Sequence, residues 1–79
     1  MANQEKVENY LLVSSGPSAT AMFRRNVENE QRVGQAFMNT LWSFLPDQYS
    51  YLQSSRYNPF YVEANIPGAI ELLIQKFKK

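Results

Sequence analysis

A chain of 79 residues with 44% apolar and 14% aromatic side chains can build one hydrophobic core and is too apolar for a disordered segment. A net charge of +1 lacks the basic excess by which proteins usually hold nucleic-acid phosphates. With no cysteine and no histidine, the chain has no thiolate or disulfide chemistry and no side chain that titrates unaided near neutral pH.

The first residues, MANQEKVENYLLV, lack both the basic start and the sustained apolar stretch of a secretory signal, and no later run approaches a membrane span. A cytoplasmic protein with no membrane partner is therefore expected. Within residues 4–13, Val7, Tyr10 and Leu11 fit helical spacing, whereas the close YLLV run also suits a strand. Asn3 as an N-cap tips the reading toward a helix, so residues 1–17 read as a loosely packed N-terminal helix or arm. Ser14-Ser15-Gly16-Pro17-Ser18 reads as a break, because Gly and Pro together interrupt regular structure.

One long amphipathic helix is expected next, from about Ala19 to Leu45, capped by Ser18 and stopped by Pro46. Counted from Phe23 at roughly 100° per residue, Val27, Gly34, Phe37, Met38, Leu41, Phe44 and Leu45 share one stripe. Arg25, Glu28, Arg32, Gln35 and Asn39 form the opposite face. That face reads first as solvated and otherwise as a recognition surface for protein or base edges. A helix of this length would span roughly 40 Å, more than a domain of this size can cover. Met22, Phe23 and Val27 would then need another surface, and Gly34 would permit close approach by a neighbouring backbone or ring. These four residues are the expected self-association face of a homodimer. Glu30 falls inside the stripe. It is either exposed on an uncovered first half of the helix or half-buried against an arginine, with Arg56 the first partner to consider.

A short helix is expected over about 46–54, begun by Pro46 with Asp47 at the positive end of its dipole and with Tyr49 and Leu52 facing inward. The connector that follows contains Arg56-Tyr57-Asn58-Pro59-Phe60-Tyr61. Aromatics beside arginine can stack bases, but only one arginine is present and Glu63 follows closely. The preferred reading is a core plug in which Asn58 and Pro59 set the bend, Phe60 and Tyr61 point inward, and Tyr57 stays exposed. A last helix over about 66–77, capped by Asn65, carries Ile66, Ile70, Leu73 and Phe77 as its stripe, widened by Leu72 and Ile74. Lys76, Lys78 and Lys79 sit at its carboxyl end. The architecture is thus a single all-α domain over residues 1–79, a small helical bundle.

Seven acidic residues are scattered singly, with no paired-carboxylate or metal-ligand spacing, and no phosphate-binding loop surrounds Gly16. Neither a catalytic residue, a metal site nor a cofactor is expected, and the chain reads as non-enzymatic.

The order Arg32-x-Gly34-Gln35-x-Phe37-x-Asn39-x-Leu41, then Pro46, then Asn58-Pro59-Phe60-Tyr61 resembles short uncharacterised helical proteins encoded by bacteriophages and prophages. The resemblance spans roughly residues 30–75, and asparagine stands at Asn58 where that pattern has aspartate. It implies a small accessory protein that binds something larger. The expected function is protein–protein interaction, as an adaptor or inhibitor of a larger protein. The alternative is a nucleic-acid-binding accessory protein using Arg24, Arg25, Arg32 and the C-terminal lysines.

Overall fold

The computed structural model describes residues 2–77, which fold as five α-helices and one short 3-10 turn with no strand among them. The body measures 29 × 25 × 21 Å, with a radius of gyration of 10.9 Å. Lys78 and Lys79 lie outside the described residues.

Helix α1 runs from Ala2 to Ser15, so residues 4–13 are helical rather than extended. Val7 and Leu11, one turn apart, are fully buried, which makes α1 a packed wall of the core and not a loose arm. Asn3 lies inside the helix instead of capping it. Its carboxamide donates across the fold to the Glu63 backbone carbonyl and carboxylate, each at 3.5 Å.

The turn into helix α2 (Pro17–Glu28) consists of Gly16 alone. Gly16 has φ 95° and ψ −175°, a region open essentially to glycine only. Its N–H closes α1 on the carbonyls of Leu11 and Leu12 at 3.0 and 3.1 Å. Pro17 then supplies the preset φ of a first helical turn. Ser18 is therefore inside α2, and Gly16 holds the cap position.

The expected helix over 19–45 is two helices. Helix α2 ends at Glu28, and helix α3 runs from Val33 to Phe44. Between them Glu30 adopts φ 70°, donating its N–H to Val27, while Gln31 donates to Asn26, at 3.0 and 3.2 Å. These are the paired bonds of a Schellman motif with its left-handed residue at Glu30. The Asn39 carboxamide then binds the Gln31 side chain at 3.0 Å, and Asn26 reaches Thr40 at 3.5 Å, tying the turn to α3. The break removes the difficulty of a rod of roughly 40 Å: each half keeps its own apolar stripe and folds it onto the same core.

Leu45 alone separates α3 from helix α4 (Pro46–Gln53), with Pro46 again in a first turn. Leu52 is fully buried and Tyr49 half-buried, as their spacing requires. A 3-10 turn over Glu63–Asn65 leads into helix α5 (Ile66–Phe77). Asn65 does not cap α5 with its side chain; its carboxamide donates to the Asn58 carbonyl at 3.1 Å.

The core gathers one stripe from every helix: Val7 and Leu11, Ala19 and Phe23, Phe37 and Leu41, Leu52, then Ile66, Ala69 and Leu73. Tyr10 meets Phe37 edge to face, with centroids 6.3 Å apart. Burying a ring such as Phe23 completely contributes roughly 1.5–3 kcal/mol relative to leaving it exposed.

Candidate functional site: an apolar groove and an aromatic cleft

Among the described residues, two concave features open to the surface. The first is an open groove of about 1160 Å³ between α1 and α5, closed at one side by the junction of α3 and α4. Its apolar walls are Val13, Phe44, Leu45, Ile70, Ile74 and Phe77, and the exposed charges of Lys6, Asp47 and Glu71 border it. Val13 is 88% exposed and Ile74 45% exposed, although both lie on regular helices. Apolar side chains clustered in an open concavity mark an interaction surface more often than isolated ones do. Inside the groove the Tyr10 hydroxyl donates to the buried Gln48 side chain. Burial pushes the Tyr10 phenol above its usual range, partly offset by its hydrogen bonds with Ser14 and Gln48.

The second feature is a smaller cleft of about 220 Å³ between α4 and the connector, lined by Met38, Tyr49, Gln53, Asn58, Phe60 and Tyr61. The connector is held by its own hydrogen bonds. The Phe60 N–H binds the Asn58 side chain at 3.0 Å, and the Asn58 amide reaches the Gln53 carbonyl at 3.4 Å. Pro59 is fully buried, and its carbonyl lies where a Cβ of Gly34 would be. Gly34 thus permits close backbone approach, as its place in the stripe suggests, and the neighbour comes from the same chain.

The connector plugs the core with Pro59 and, in part, Phe60. Tyr61 does not point inward: it is 76% exposed, with its ring 4.7 Å from Phe60 and the Arg32 guanidinium 5.8 Å from its centroid. Tyr57 is exposed as expected, at 36%, with one edge of its ring against Gly68.

The structure redistributes the other expected residues. Arg25 and Glu28 are exposed on α2, whereas Arg32, Gln35 and Asn39 stand at or on α3 beyond the break, so the five do not form one continuous row. Of the expected self-association face, Phe23 is fully buried, Met22 and Val27 are half-buried, and Gly34 is covered by Pro59. Phe23 is used inside the chain because α1 packs back along α2, and Gly34 because the connector crosses it at Pro59. Glu30 is exposed at a turn and makes no ion pair with Arg56; the ion pair among the described residues is Arg24 with Glu8, at 3.2 Å. Such an exposed pair contributes little to stability. The cations considered for nucleic acid are partly engaged elsewhere: Arg24 with Glu8, Arg32 over Tyr61 and Lys76 over Tyr51 at 5.7 Å.

Sequence reasoning missed the groove and Trp42. Leu12 and Val13 follow Leu11 directly, more apolar residues than one helical stripe can bury, and Trp42 falls off the stripe of α3. Both excesses are visible in the sequence, but what lies beside them is not.

The chain matches no family model, no curated protein and no solved structure. No helix among the described residues is long and apolar enough to cross a membrane.

Proposed function

We propose that this chain is a small non-catalytic accessory protein that binds a larger protein, as an adaptor or inhibitor, through the groove between α1 and α5. The observation that carries this reading is the groove itself, about 1160 Å³ walled by apolar side chains in a body only 29 Å in its longest dimension. Its apolar walls and mixed-charge border suit the apolar face of an amphipathic helix, one of the recurring modes of protein recognition. The resemblance to phage-encoded proteins supports the same reading, since it implies a small partner-binding protein.

Capture from a native lysate with the parent chain and with Val13→Asp and Ile74→Lys tests it. The parent should retain a partner that both variants lose while their thermal unfolding stays close to the parent's. A partner retained equally by all three overturns the groove as the site. Light scattering behind a sizing column covers the homodimer: twice the monomer mass, reduced by Val13→Asp, would identify a second copy as the occupant.

A further inference from the structure

We propose that the aromatic cleft between α4 and the connector is a second binding site, taking an extended proline-rich segment in the polyproline II conformation. It lies on a different side of α4 from the groove: Gln48 faces the groove, and Tyr49 and Gln53, one turn apart, face the cleft.

Three observations select this ligand. The first is the rings. Tyr49 lines one side and Phe60 and Tyr61 the other, and Trp42, 66% exposed, packs on Tyr49 with centroids 6.3 Å apart at 37°. Prolyl rings pack flat on such faces, and aromatic-lined grooves are the usual receptors for this conformation.

The second is hydrogen-bond complementarity. A polyproline II backbone has no internal hydrogen bonds, and its prolines carry no N–H, so it presents carbonyl acceptors. The cleft presents donors. Among its lining residues, the Tyr49 and Tyr61 hydroxyls and the Gln53 carboxamide carry donors to which the described residues supply no hydrogen-bond partner, whereas Asn58 is committed to the connector's own backbone.

The third is charge. All six lining side chains are uncharged, and among the described residues Arg32 is the cation placed on these rings. A single nucleic-acid strand also stacks on aromatic platforms, but it needs a basic groove that follows its backbone. An uncharged acceptor-rich peptide needs none. The buried Pro59 and the Asn58 turn hold Phe60 and Tyr61 in place before any ligand arrives, which lowers the ordering cost of binding.

Trp42 is the single tryptophan of the chain and packs on the lining ring of Tyr49, so intrinsic fluorescence reports on this site. The probes are decaproline, a pool of Pro-x-x-Pro decapeptides, a Gly/Ser peptide of equal length and an oligothymidylate. The expected result is a saturable shift of Trp42 emission with a proline probe and none with the Gly/Ser peptide. Tyr61→Ala, a change at an exposed ring, should raise Kd about tenfold or more, as for an aromatic anchor. Val13→Asp, in the separate groove, should leave it unchanged. No response to either proline probe at millimolar peptide overturns the proposal, as does equal affinity of Tyr61→Ala. Tighter binding of oligothymidylate than of either proline probe also overturns it, in favour of single-stranded nucleic acid.

Discussion

The pair α2 and α3 and the pair α1 and α5 use apolar side chains in different ways. In α2 and α3 the stripe that begins at Phe23 and ends at Leu41 is closed over by the rest of the chain. In α1 and α5 one stripe, Val7, Leu11, Ile66 and Leu73, is closed over as well, but Val13 and Ile74 remain open at the groove. Along this stripe the first pair holds the fold together, with Trp42 lying off it and open, whereas the second pair both holds the fold and leaves its own apolar side chains open at the groove. Hydrophobicity alone does not distinguish these roles; cover does.

The largest expected effect separates them directly. Phe23→Ala should lower unfolding stability by about 3–5 kcal/mol, the range for a ring removed from a closed core. Val13→Asp should change it by less than about 0.5 kcal/mol, the range for an exposed site. Urea unfolding of both variants measures the difference, and a Val13→Asp cost comparable to that of Phe23→Ala would remove the contrast.

Next in size is the contact that fixes the connector on α3. Gly34→Ala places a Cβ on the Pro59 carbonyl, which is backbone and cannot swing aside. A loss of about 1–3 kcal/mol is expected, typical of overpacking. Gly68→Ala is the control. Its Cβ would meet the Tyr57 ring at 2.5 Å, but that neighbour is a partly exposed side chain and not backbone, so it should give way, and alanine favours the helix by about 1 kcal/mol. A near-neutral Gly68→Ala beside a costly Gly34→Ala, by the same unfolding assay, would locate the constraint at Pro59.

How much of this was legible beforehand follows from the kinds of residue at each boundary. Gly16 with Pro17, and Leu45 with Pro46, were readable as breaks because those residues restrict the backbone wherever they occur. The turn at Asn29–Arg32 was not, because its left-handed position holds Glu30, a residue with no preference for that conformation. The stripe continues through it in phase, so periodicity could not reveal it. Only the excessive length of the helix and one charge inside the stripe hinted at a break. The groove escaped for another reason: it depends on how α1 lies beside α5, elements at opposite ends of the chain. The inward Leu52 and the exposed Tyr57 were readable, whereas the outward turn of Tyr61 depends on Pro59 occupying the space above Gly34.

A smaller effect concerns the groove's interior. The Tyr10 phenol is held above its usual range by burial, so the folded state keeps a proton that the unfolded state gives up near the ordinary tyrosine pKa of about 10. The unfolded state then binds fewer protons, and stability should fall as pH rises above about 10. Tyr10→Phe should lower stability at neutral pH by about 1 kcal/mol through loss of the bond to Gln48, and should flatten that alkaline decline. Melting curves from pH 8 to 11 measure both; an alkaline slope unchanged by Tyr10→Phe would assign the decline to other groups. The smallest effect has the opposite sign. Glu30→Gly should stabilise the chain by about 0.5–1 kcal/mol, because glycine relieves the left-handed strain while adding some unfolded-state freedom. A gain in Tm checks it, and a loss would show that the Glu30 side chain supports the turn.

The bond from Asn3 to Glu63 joins residues 60 positions apart. The α1–α2, α2–α3 and α3–α4 pairings, by contrast, link neighbours in sequence and need only short loops to close. Closing the longer loop carries the larger entropic penalty and is favoured only after intervening elements are in place. The docking of α5 against α1 is thus expected to be a late event of folding. Because that seam is also the bed of the groove, native-state hydrogen exchange should find the amides of α1 and α5 opening with a lower free energy than those of α3. A surface that loosens before the rest unfolds can widen for an incoming helix and close behind it.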